Sequence, residues 1–406
     1  MLSYYRFLFL FCCFPILSNA QSSCLTQLMD DEKVQENQRV ITQEVRQWID
    51  NRSMVAERSI ATIPIVIHIV WHENEENISD EQIASQLSVL NNSFQGNSAN
   101  LAIVPTIFQD LIADTEIEFC LAQRTPTNQP TNGIERIRIA EPAIVSDRTA
   151  LFAASPLWNP AEYLNIYVVN LAPSVDGEAT FPAEATLEND AIRMNYRSFG
   201  TIETATINPA RSGGKSLVHE VGHYLGLRHI WGREEGCTFD DFDGMDDTPL
   251  QSQSYLGQCP SSSQSSCGTP DMYMNFMDYT DDDCLAMFTP DQKMWMLGVL
   301  NTTRSGLLGS RGCDSVVSSE QWLELSELKF WYDAASQVVN FQFADNQKFV
   351  ILELFDAIGR KIAVETFVQQ KNMQWQLAPQ TAGIYYLHLR TDSGEKTYPL
   401  FFSDRF

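Results

Sequence analysis

The stretch HEVGHYLGLRH, residues 219–229, contains three of the six histidines of the chain. Residues four apart on a helix share one face, so His219 and His223 can direct their imidazoles at one metal ion. Gly226 can adopt a positive φ and end the helix, which lets His229 return toward the same ion. Three neutral histidines and a water predict a catalytic Zn²⁺ site, with Glu220 placed as general base. The alternative is a helix that carries its histidines in the core or on the surface.

A second motif, MYMNFMDYTDDDC, occupies residues 272–284. Together with the extended HExxHxxGxxH pattern, it resembles the metzincin clan of zinc metallopeptidases. The resemblance implies that Met277 forms the Met-turn beneath the metal, and that Tyr279 lies near the metal and assists the reaction. For Met277 alone, ordinary core packing is the alternative.

The sequence around both motifs, residues 63–313, resembles the pappalysin-like (cytophagalysin) family within this clan. The stretches that carry the resemblance are IPIVIHIVW, NISDEQIASQLSVLN, YLNIYVVNL, ATFP, the Trp231-Gly232 pair after the zinc motif, DTP and NFMDYTDDDCLAMFTPDQ. The resemblance implies two disulfides, Cys237–Cys267 and Cys259–Cys284. Spacing alone allows three pairings of these four cysteines.

The resemblance further implies structural Ca²⁺ in CTFDDFDGMDDTPLQ, residues 237–251. The candidate ligands are Asp243, Asp247, Thr248 and the carbonyl of Met245, because calcium prefers several hard oxygens in a flexible loop. A solvated acidic loop is the alternative.

The reaction that the resemblance implies is hydrolysis of protein or peptide substrates. Zinc would polarise the scissile carbonyl, while Glu220 takes a proton from the zinc-bound water and passes it to the leaving amine. The substrate would extend along an edge strand, for which residues 179–182 (ATFP) are the candidate. An internal strand is the alternative for this segment.

Strand and helix patterns alternate through residues 59–315. Residues 63–71, 117–124 and 163–171 predict strands, and Ser79 predicts the N-cap of a helix with Gln82 three positions on. Residues 215–226 predict the active-site helix. We therefore predict an α+β metzincin-like catalytic domain, built from a twisted mixed sheet, a backing helix and the active-site helix.

The N-terminus is typical of an exported protein. Arg6, the apolar run of residues 7–17 and the Ser18-Asn19-Ala20 triplet predict a signal peptide over residues 1–20, with an uncleaved anchor as the alternative. Residues 21–58 are polar and helical in pattern and fit a propeptide, for which Arg52 or Arg58 would be the cleavage position.

Seven cysteines remain after the signal peptide, and an odd count leaves one over. Cys24 is the candidate latency switch, since its thiolate can ligate zinc until the propeptide is removed. A disulfide from Cys24 to Cys120 or Cys313, or an unused thiol, is the alternative. Cys120–Cys313 is a candidate third disulfide.

Residues 320–406 show short strand patterns separated by turn signals at residues 356–360 and 391–394, which predict a small β-sandwich. The segments FDAIGRKI and TAGIYYLHLRTDSGEKTYPLFF resemble the sorting domains of the type IX secretion pathway. That resemblance implies export through the outer-membrane secretion machinery of a Gram-negative bacterium. A substrate-binding β module is the alternative.

The formal net charge of −25 argues against nucleic acid or an anionic membrane surface as a partner. We therefore expect a secreted, monomeric zinc endopeptidase that is made as a latent zymogen. Two rival hypotheses are a binding protein that retains a structural zinc and a zinc hydrolase acting on other bonds.

Overall fold

The computed structural model describes residues 24–26, 31–51, 60–232, 236–237, 243–314, 328–333, 336, 338–378, 383–391 and 394–402. The chain divides into two compact units, Met1–Val316 and Val317–Phe406. The expected signal peptide and both expected cleavage positions, Arg52 and Arg58, lie outside the described residues.

The described residues of the first unit form the helices α1 (Glu32–Asn51), α2 (Asp80–Phe94), α3 (Arg148–Ala154), α4 (Lys215–Tyr224) and α5 (Pro290–Asn301). Its strands are β1 (Ala61–Trp71), β2 (Ile117–Leu121), β3 (Ile134–Arg138), β4 (Leu164–Val169), β5 (Gly177–Ala179), β6 (Ala191–Asn195), β7 (Ser265–Ser266) and β8 (Thr269–Pro270).

A six-stranded mixed sheet organises this unit, in the order β2-β1-β4-β6-β5 with β3 also paired to β1. The pairs of β1 with β2, β3 and β4 and of β4 with β6 are parallel, and β5 pairs antiparallel with β6 at the edge. Ile65 and Ile67 of β1 pack toward α2 and α4, while Val66 and Val70 are buried on the opposite face. Burial on both faces explains why β1 is an almost continuous apolar run.

Helix α2 begins where the sequence predicts. The Ser79 side chain accepts a hydrogen bond from the Gln82 backbone N–H, as an N-cap does. The Gln82 side chain does not return to the Ser79 N–H, since its Oε1 accepts a hydrogen bond from the Thr204 hydroxyl at 3.1 Å. One half of the expected capping box is therefore replaced by a tertiary contact.

Helix α1 lies within the segment expected to be the propeptide. Val34, Ile41 and Val45 are buried on one side of it and join the core of the first unit. Gly298 of α5 allows a close approach, because a Cβ at that position would lie 2.7 Å from Val45 Cγ1. Because Gly298 has no side chain, the apolar side of α1 can pack closely on α5.

The second unit is all β over its described residues, with β9 (Leu328–Asp333), β10 (Val338–Asp356), β11 (Lys361–Gln376), β12 (Gly383–Thr391) and β13 (Gly394–Phe402). All pairs are antiparallel: β10 pairs with β11 along its length, with β9 at its start and with β12 at its end, and β13 pairs with β12. Phe330 of β9 contacts Tyr398 of β13, although these strands do not pair, so the sheet folds over a core. The predicted all-β architecture is confirmed.

The short strands expected between residues 338 and 376 were wrong in length. VVNFQFA and KFVILELF belong to one strand, β10, which shifts register between Gln342 and Gln347 instead of ending. The turn at residues 356–360 is present, with Gly359 at φ +77°. No helix within the described residues is long and apolar enough to cross a membrane.

Candidate active site

Helix α4 places two histidines side by side. Leu217, Val218 and Val221 pack into the core of the first unit and hold α4 against the sheet. The rings of His219 and His223, one turn apart, have centroids 4.5 Å from each other. Helix geometry alone therefore brings the first two expected ligands together.

The chain turns back after α4, which ends at Tyr224, two residues before the expected end. Gly226 has a φ of +87°, and the N–H of Leu227 donates to the carbonyl of Gly222. This left-handed residue directs the following segment so that His229 Nε2 lies 3.1 Å from His223 Nε2. Two nitrogens bound tetrahedrally to one zinc ion lie about 3.3 Å apart.

The three imidazoles suit a divalent metal ion. Backbone carbonyls fix two of the Nδ1 atoms, that of Phe276 at 2.7 Å from His219 and that of Leu227 at 2.8 Å from His223. Burial lowers the pKa of all three histidines, to about 4 for His223, so the rings are neutral at pH 7. Within the part of the chain that the structure describes, the buried His219 Nε2 has no hydrogen-bond partner. Neutral rings with inward-facing Nε2 atoms are what a metal site requires.

Met277 lies directly beneath α4. It is fully buried, and a Cβ at Gly222, between the two helical histidines, would overlap its Sδ. The Tyr279 ring lies 5.5 Å from the His219 ring and 4.8 Å from the His229 ring, measured between centroids. The segment after β8 thus supplies both the apolar floor and an aromatic wall.

Glu220 is 1% exposed and faces the N-terminal segment. The Thr26 hydroxyl donates a hydrogen bond to Glu220 Oε2, at 2.7 Å. Burial raises the pKa of Glu220 to about 8, and the hydrogen bonds from Cys24 and Thr26 act in the opposite direction. A carboxyl group with a raised pKa in a buried site is suited to accept and return protons near neutral pH.

Cys24 lies with the three histidines. One ligand atom from each of Cys24, His219, His223 and His229 lies within 4.8 Å of every other, and no other group of this kind occurs in the described ranges. The backbone around Cys24 follows the edge strand, with Leu25 N–H donating to the carbonyl of Gly177. The disulfide alternatives for Cys24 are wrong, because Cys120 is bonded to Cys313.

The edge strand itself is shorter than expected. Strand β5 ends at Ala179, so of the candidate ATFP stretch only the first residue lies in it. The Thr26 hydroxyl accepts a hydrogen bond from the Ala179 N–H at 2.7 Å. The N-terminal segment therefore lies on this edge.

A small pocket beside Glu220 contains charged residues that the sequence did not single out. Asp176, Arg211 and Asp282 line it together with His219 and Glu220. Asp282 is buried, while its neighbours Asp281 and Asp283 are half-buried and exposed. Nothing in a run of three aspartates indicates which one turns inward.

The four cysteines between residues 237 and 284 form Cys237–Cys267 and Cys259–Cys284, the pairing that the resemblance implies. Of the expected calcium ligands, Asp243 accepts hydrogen bonds from Met245 N–H and from the Thr248 hydroxyl. Asp247 instead accepts from the Thr289 hydroxyl and the Asp291 N–H at the start of α5. The structure thus gathers three of the four and assigns Asp247 to capping α5.

Comparison with known proteins agrees with this geometry. Residues 147–301 match the Peptidase_M43 family model, described as pregnancy-associated plasma protein-A. An extracellular metalloprotease of Pyricularia oryzae is 30% identical over 262 residues, which cover 63% of this chain and 81% of the relative. The chain belongs to the pappalysin-like family of metzincin metallopeptidases. It is therefore a metallopeptidase, as the sequence predicts.

Two solved structures of this family are similar to the chain. A promirolysin mutant of Tannerella forsythia is 33% identical, with a TM-score of 0.61, and the match covers 70% of this chain and 97% of that one. Mature mirolysin of the same organism, in complex with a cleaved peptide, is 36% identical with a TM-score of 0.58, over 62% and 96% of the two chains. The expected metzincin fold is confirmed.

Proposed function

We propose that the chain is a secreted zinc-dependent endopeptidase made as a latent zymogen. His219, His223 and His229 would hold the ion, and Glu220 would act as the general base. The observation that carries the proposal is the convergence of three neutral imidazoles beside a buried carboxyl group. Zinc, when bound, supplies Lewis-acid chemistry that activates water and polarises a peptide carbonyl.

The residues of the chain supply the proton transfers and the orientation of the substrate. Glu220 takes a proton from the attacking water and returns it to the nitrogen of the leaving amine. We assign to the Tyr279 hydroxyl a hydrogen bond to the oxygen of the scissile carbonyl. The substrate would lie along β5, using the backbone groups of Gly177 and Ala179 that the N-terminal segment engages.

Latency would come from the same N-terminal segment. Cys24 offers its sulfur as the fourth ligand, and Thr26 engages both Glu220 and the edge strand. Helix α1, packed on α5, would anchor the segment at a distance from the metal. A substrate cannot occupy the edge strand until this segment leaves.

Further parts of the proposal concern calcium and export. Asp243, the Met245 carbonyl and Thr248 are the residues for a structural calcium ion, and burial raises the pKa of Asp243 to about 8, a cost that a bound cation would remove. The second unit would direct a monomeric protein to the outer-membrane secretion machinery of a Gram-negative bacterium. The extracellular naming of the relatives supports export.

Two variants of the processed enzyme test the function. Glu220→Ala should still bind one zinc ion per chain. Its rate of casein cleavage should be lower than that of the wild type by a factor of about 10²–10⁴. His229→Ala should lose zinc and activity together. Undiminished cleavage by Glu220→Ala would contradict the mechanism, and chelator-resistant activity would contradict the metal. Intact zinc binding without cleavage by the wild type would favour a binding protein.

A further inference from the structure

Arg304 follows α5 and is 6% exposed, so its charge is buried within the first unit. Its Nε donates to the carbonyl of Tyr224, the last residue of α4, at 2.9 Å. Its Nη2 donates to the carbonyl of Thr180, the residue after β5, at 3.2 Å. Its Nη1 pairs with the buried carboxylate of Asp190, which directly precedes β6. One guanidinium thus joins the end of α4 to both strands at the edge of the sheet.

The guanidinium itself is held firmly in place. Arg304 Cζ lies 3.5 Å from the centroid of the Tyr224 ring, and Tyr224 is fully buried. The backbone N–H of Arg304 donates to the carbonyl of Val299 in α5 at 2.9 Å. A planar guanidinium presents its donors in a rigid fork, so it can hold acceptors from three segments at set distances. A lysine ammonium is a single charged group on a flexible chain and cannot reach all three acceptors together.

The two elements that Arg304 joins have different tasks in the proposed reaction. Helix α4 carries two of the histidines and Glu220, whereas β5 offers the backbone of Ala179 to an extended peptide. One acceptor carbonyl of Arg304 belongs to the residue after His223, and another belongs to the residue after Ala179. The contacts of Arg304 are therefore one residue from the metal site and one residue from the proposed substrate-binding edge.

Stability alone does not account for this arrangement. Burial raises the pKa of Asp190, and the charge of Arg304 opposes this shift. Because both ions lose their hydration, a buried pair of this kind usually contributes little net stability compared with apolar side chains of similar volume. What the guanidinium adds is a fixed geometry between α4 and β5.

We propose that Arg304 is a positioning residue that sets the distance between the substrate-binding edge β5 and the metal-binding helix α4. A peptide paired with β5 then presents its scissile carbonyl to the metal site at the spacing that the reaction needs. Misplacement of reacting atoms by about 1 Å can lower a rate about 10²-fold. This inference rests on the proposed endopeptidase function and adds a residue that couples substrate binding to the chemical step.

The test uses the enzyme after removal of its N-terminal segment and a casein-derived peptide that the wild type cleaves. The peptide is shortened one residue at a time from each end. In the wild type, removal of a residue that pairs with β5 should lower kcat about tenfold or more, because binding energy from remote substrate residues serves the chemical step.

Arg304→Lys and Arg304→Met should lose this dependence on peptide length. Their kcat for the full peptide should fall to about the level that the wild type shows for the shortened one, while the zinc content stays at one ion per chain. The KM for the full peptide should change less than about threefold, since β5 still binds the peptide. If kcat of Arg304→Lys depends on peptide length as in the wild type, the inference is overturned.

A second substitution separates positioning from stability. Arg304→Met leaves Asp190 as an unpaired buried carboxylate, which destabilises the fold. Asp190→Asn in that background removes the charge and should restore resistance to urea, while kcat for the full peptide stays low. Recovery of kcat together with stability would mean that Arg304 has a structural role only. If Arg304→Met alone does not fold, the double variant gives the same comparison with the wild type.

Leu307→Ala is the matched control. Leu307 is 1% exposed, lies three residues after Arg304 and packs in the core of the first unit. Its truncation should lower stability but keep the wild-type dependence of kcat on peptide length. A wild type whose kcat does not change with peptide length would also overturn the inference. Failure of the wild type to cleave any peptide would contradict the proposed function instead.

Discussion

The Thr26 hydroxyl lies 2.7 Å from the Glu220 carboxylate and also accepts a hydrogen bond from the Ala179 N–H of the edge strand. One small side chain therefore engages both the proposed general base and the proposed substrate-binding strand. The neighbouring Cys24 lies among the three histidines. The N-terminal segment thus makes two separate contacts at the centre of the site.

Thr26→Val should weaken latency without touching the sulfur. Valine keeps the shape of threonine but cannot donate to Glu220 or accept from the Ala179 N–H, and each hydrogen bond of this kind contributes about 0.5–1.5 kcal/mol. We expect the initial rate of peptide cleavage by the unprocessed chain to rise about tenfold or more, and Cys24→Ala to raise it further. Leu25→Ala, whose side chain is exposed, is the matched control and should stay latent. If the unprocessed Thr26→Val variant cleaves peptide no faster than the unprocessed wild type, this role of Thr26 is wrong.

Gly298→Ala should loosen the anchor that α1 makes on α5. The added Cβ would lie 2.7 Å from Val45 Cγ1, and overpacking of this kind costs about 1–3 kcal/mol. We expect faster trypsin cleavage within the N-terminal segment of the unprocessed chain and normal activity of the processed enzyme.

A double-mutant cycle adds Val45→Ala to the wild type and to the Gly298→Ala variant. Removing the valine methyl groups makes room for the new Cβ, so the double variant should be cleaved more slowly than Gly298→Ala alone, with a coupling energy of about 0.5–3 kcal/mol. Purely additive effects of the two substitutions would argue against direct packing of α1 on α5.

Gly226→Ala should damage the site more than its backbone strain alone explains. Gly226 has φ +87°, and a Cβ there would lie 2.9 Å from Trp295 Nε1. Gly257 has φ +66° with open space around it, so Gly257→Ala isolates the left-handed cost of about 1–2 kcal/mol. We expect Gly226→Ala to lose more free energy of unfolding than Gly257→Ala and to retain less zinc. Equal losses in denaturant unfolding and full zinc content would refute the assigned role of the turn.

Lys215 should make stability depend on pH. Burial lowers its pKa from 10.5 to about 8, and the charge of Asp282 opposes this shift. The folded pKa lies below the unfolded one, so the unfolded chain binds more protons between these values and stability from this group rises with pH.

Lys215→Met removes this titration. The free energy of unfolding of the variant relative to the wild type should therefore fall by up to about 3 kcal/mol from pH 7 to pH 10.5. Denaturant unfolding of both proteins across that range measures the difference. If the difference in free energy of unfolding between the two proteins does not change with pH, folding does not lower the pKa of Lys215.

Local spacing was sufficient to predict that the three histidines of the proposed metal site converge. His219 and His223 follow helix periodicity, and Gly226 provides the positive φ that the return to His229 needs. The apolar run of residues 63–71 likewise predicted a strand, and its lack of alternation fits the burial of β1 on both faces. Each of these features depends on residues within about ten positions of one another.

The pocket could not be predicted in the same way. Asp176, Arg211 and Asp282 come from three separate segments, and none has a spacing that marks it. Arg211 is one of 27 basic residues, and only its burial against two acids distinguishes it. The length of β10 was missed for a related reason, since the polar residues 345–347 suggest a turn while the strand continues with shifted register.

The contact of residues 24–26 with β5 has a consequence for the enzyme after processing. Under the proposed latency, the attached segment would compete with substrate at an effective concentration in the millimolar range. Once cut, it becomes a separate peptide whose occupancy follows its bulk concentration and its own dissociation constant. Concentrated processed enzyme would therefore remain partly inhibited by its own released peptide, and its specific activity would increase on dilution into the medium.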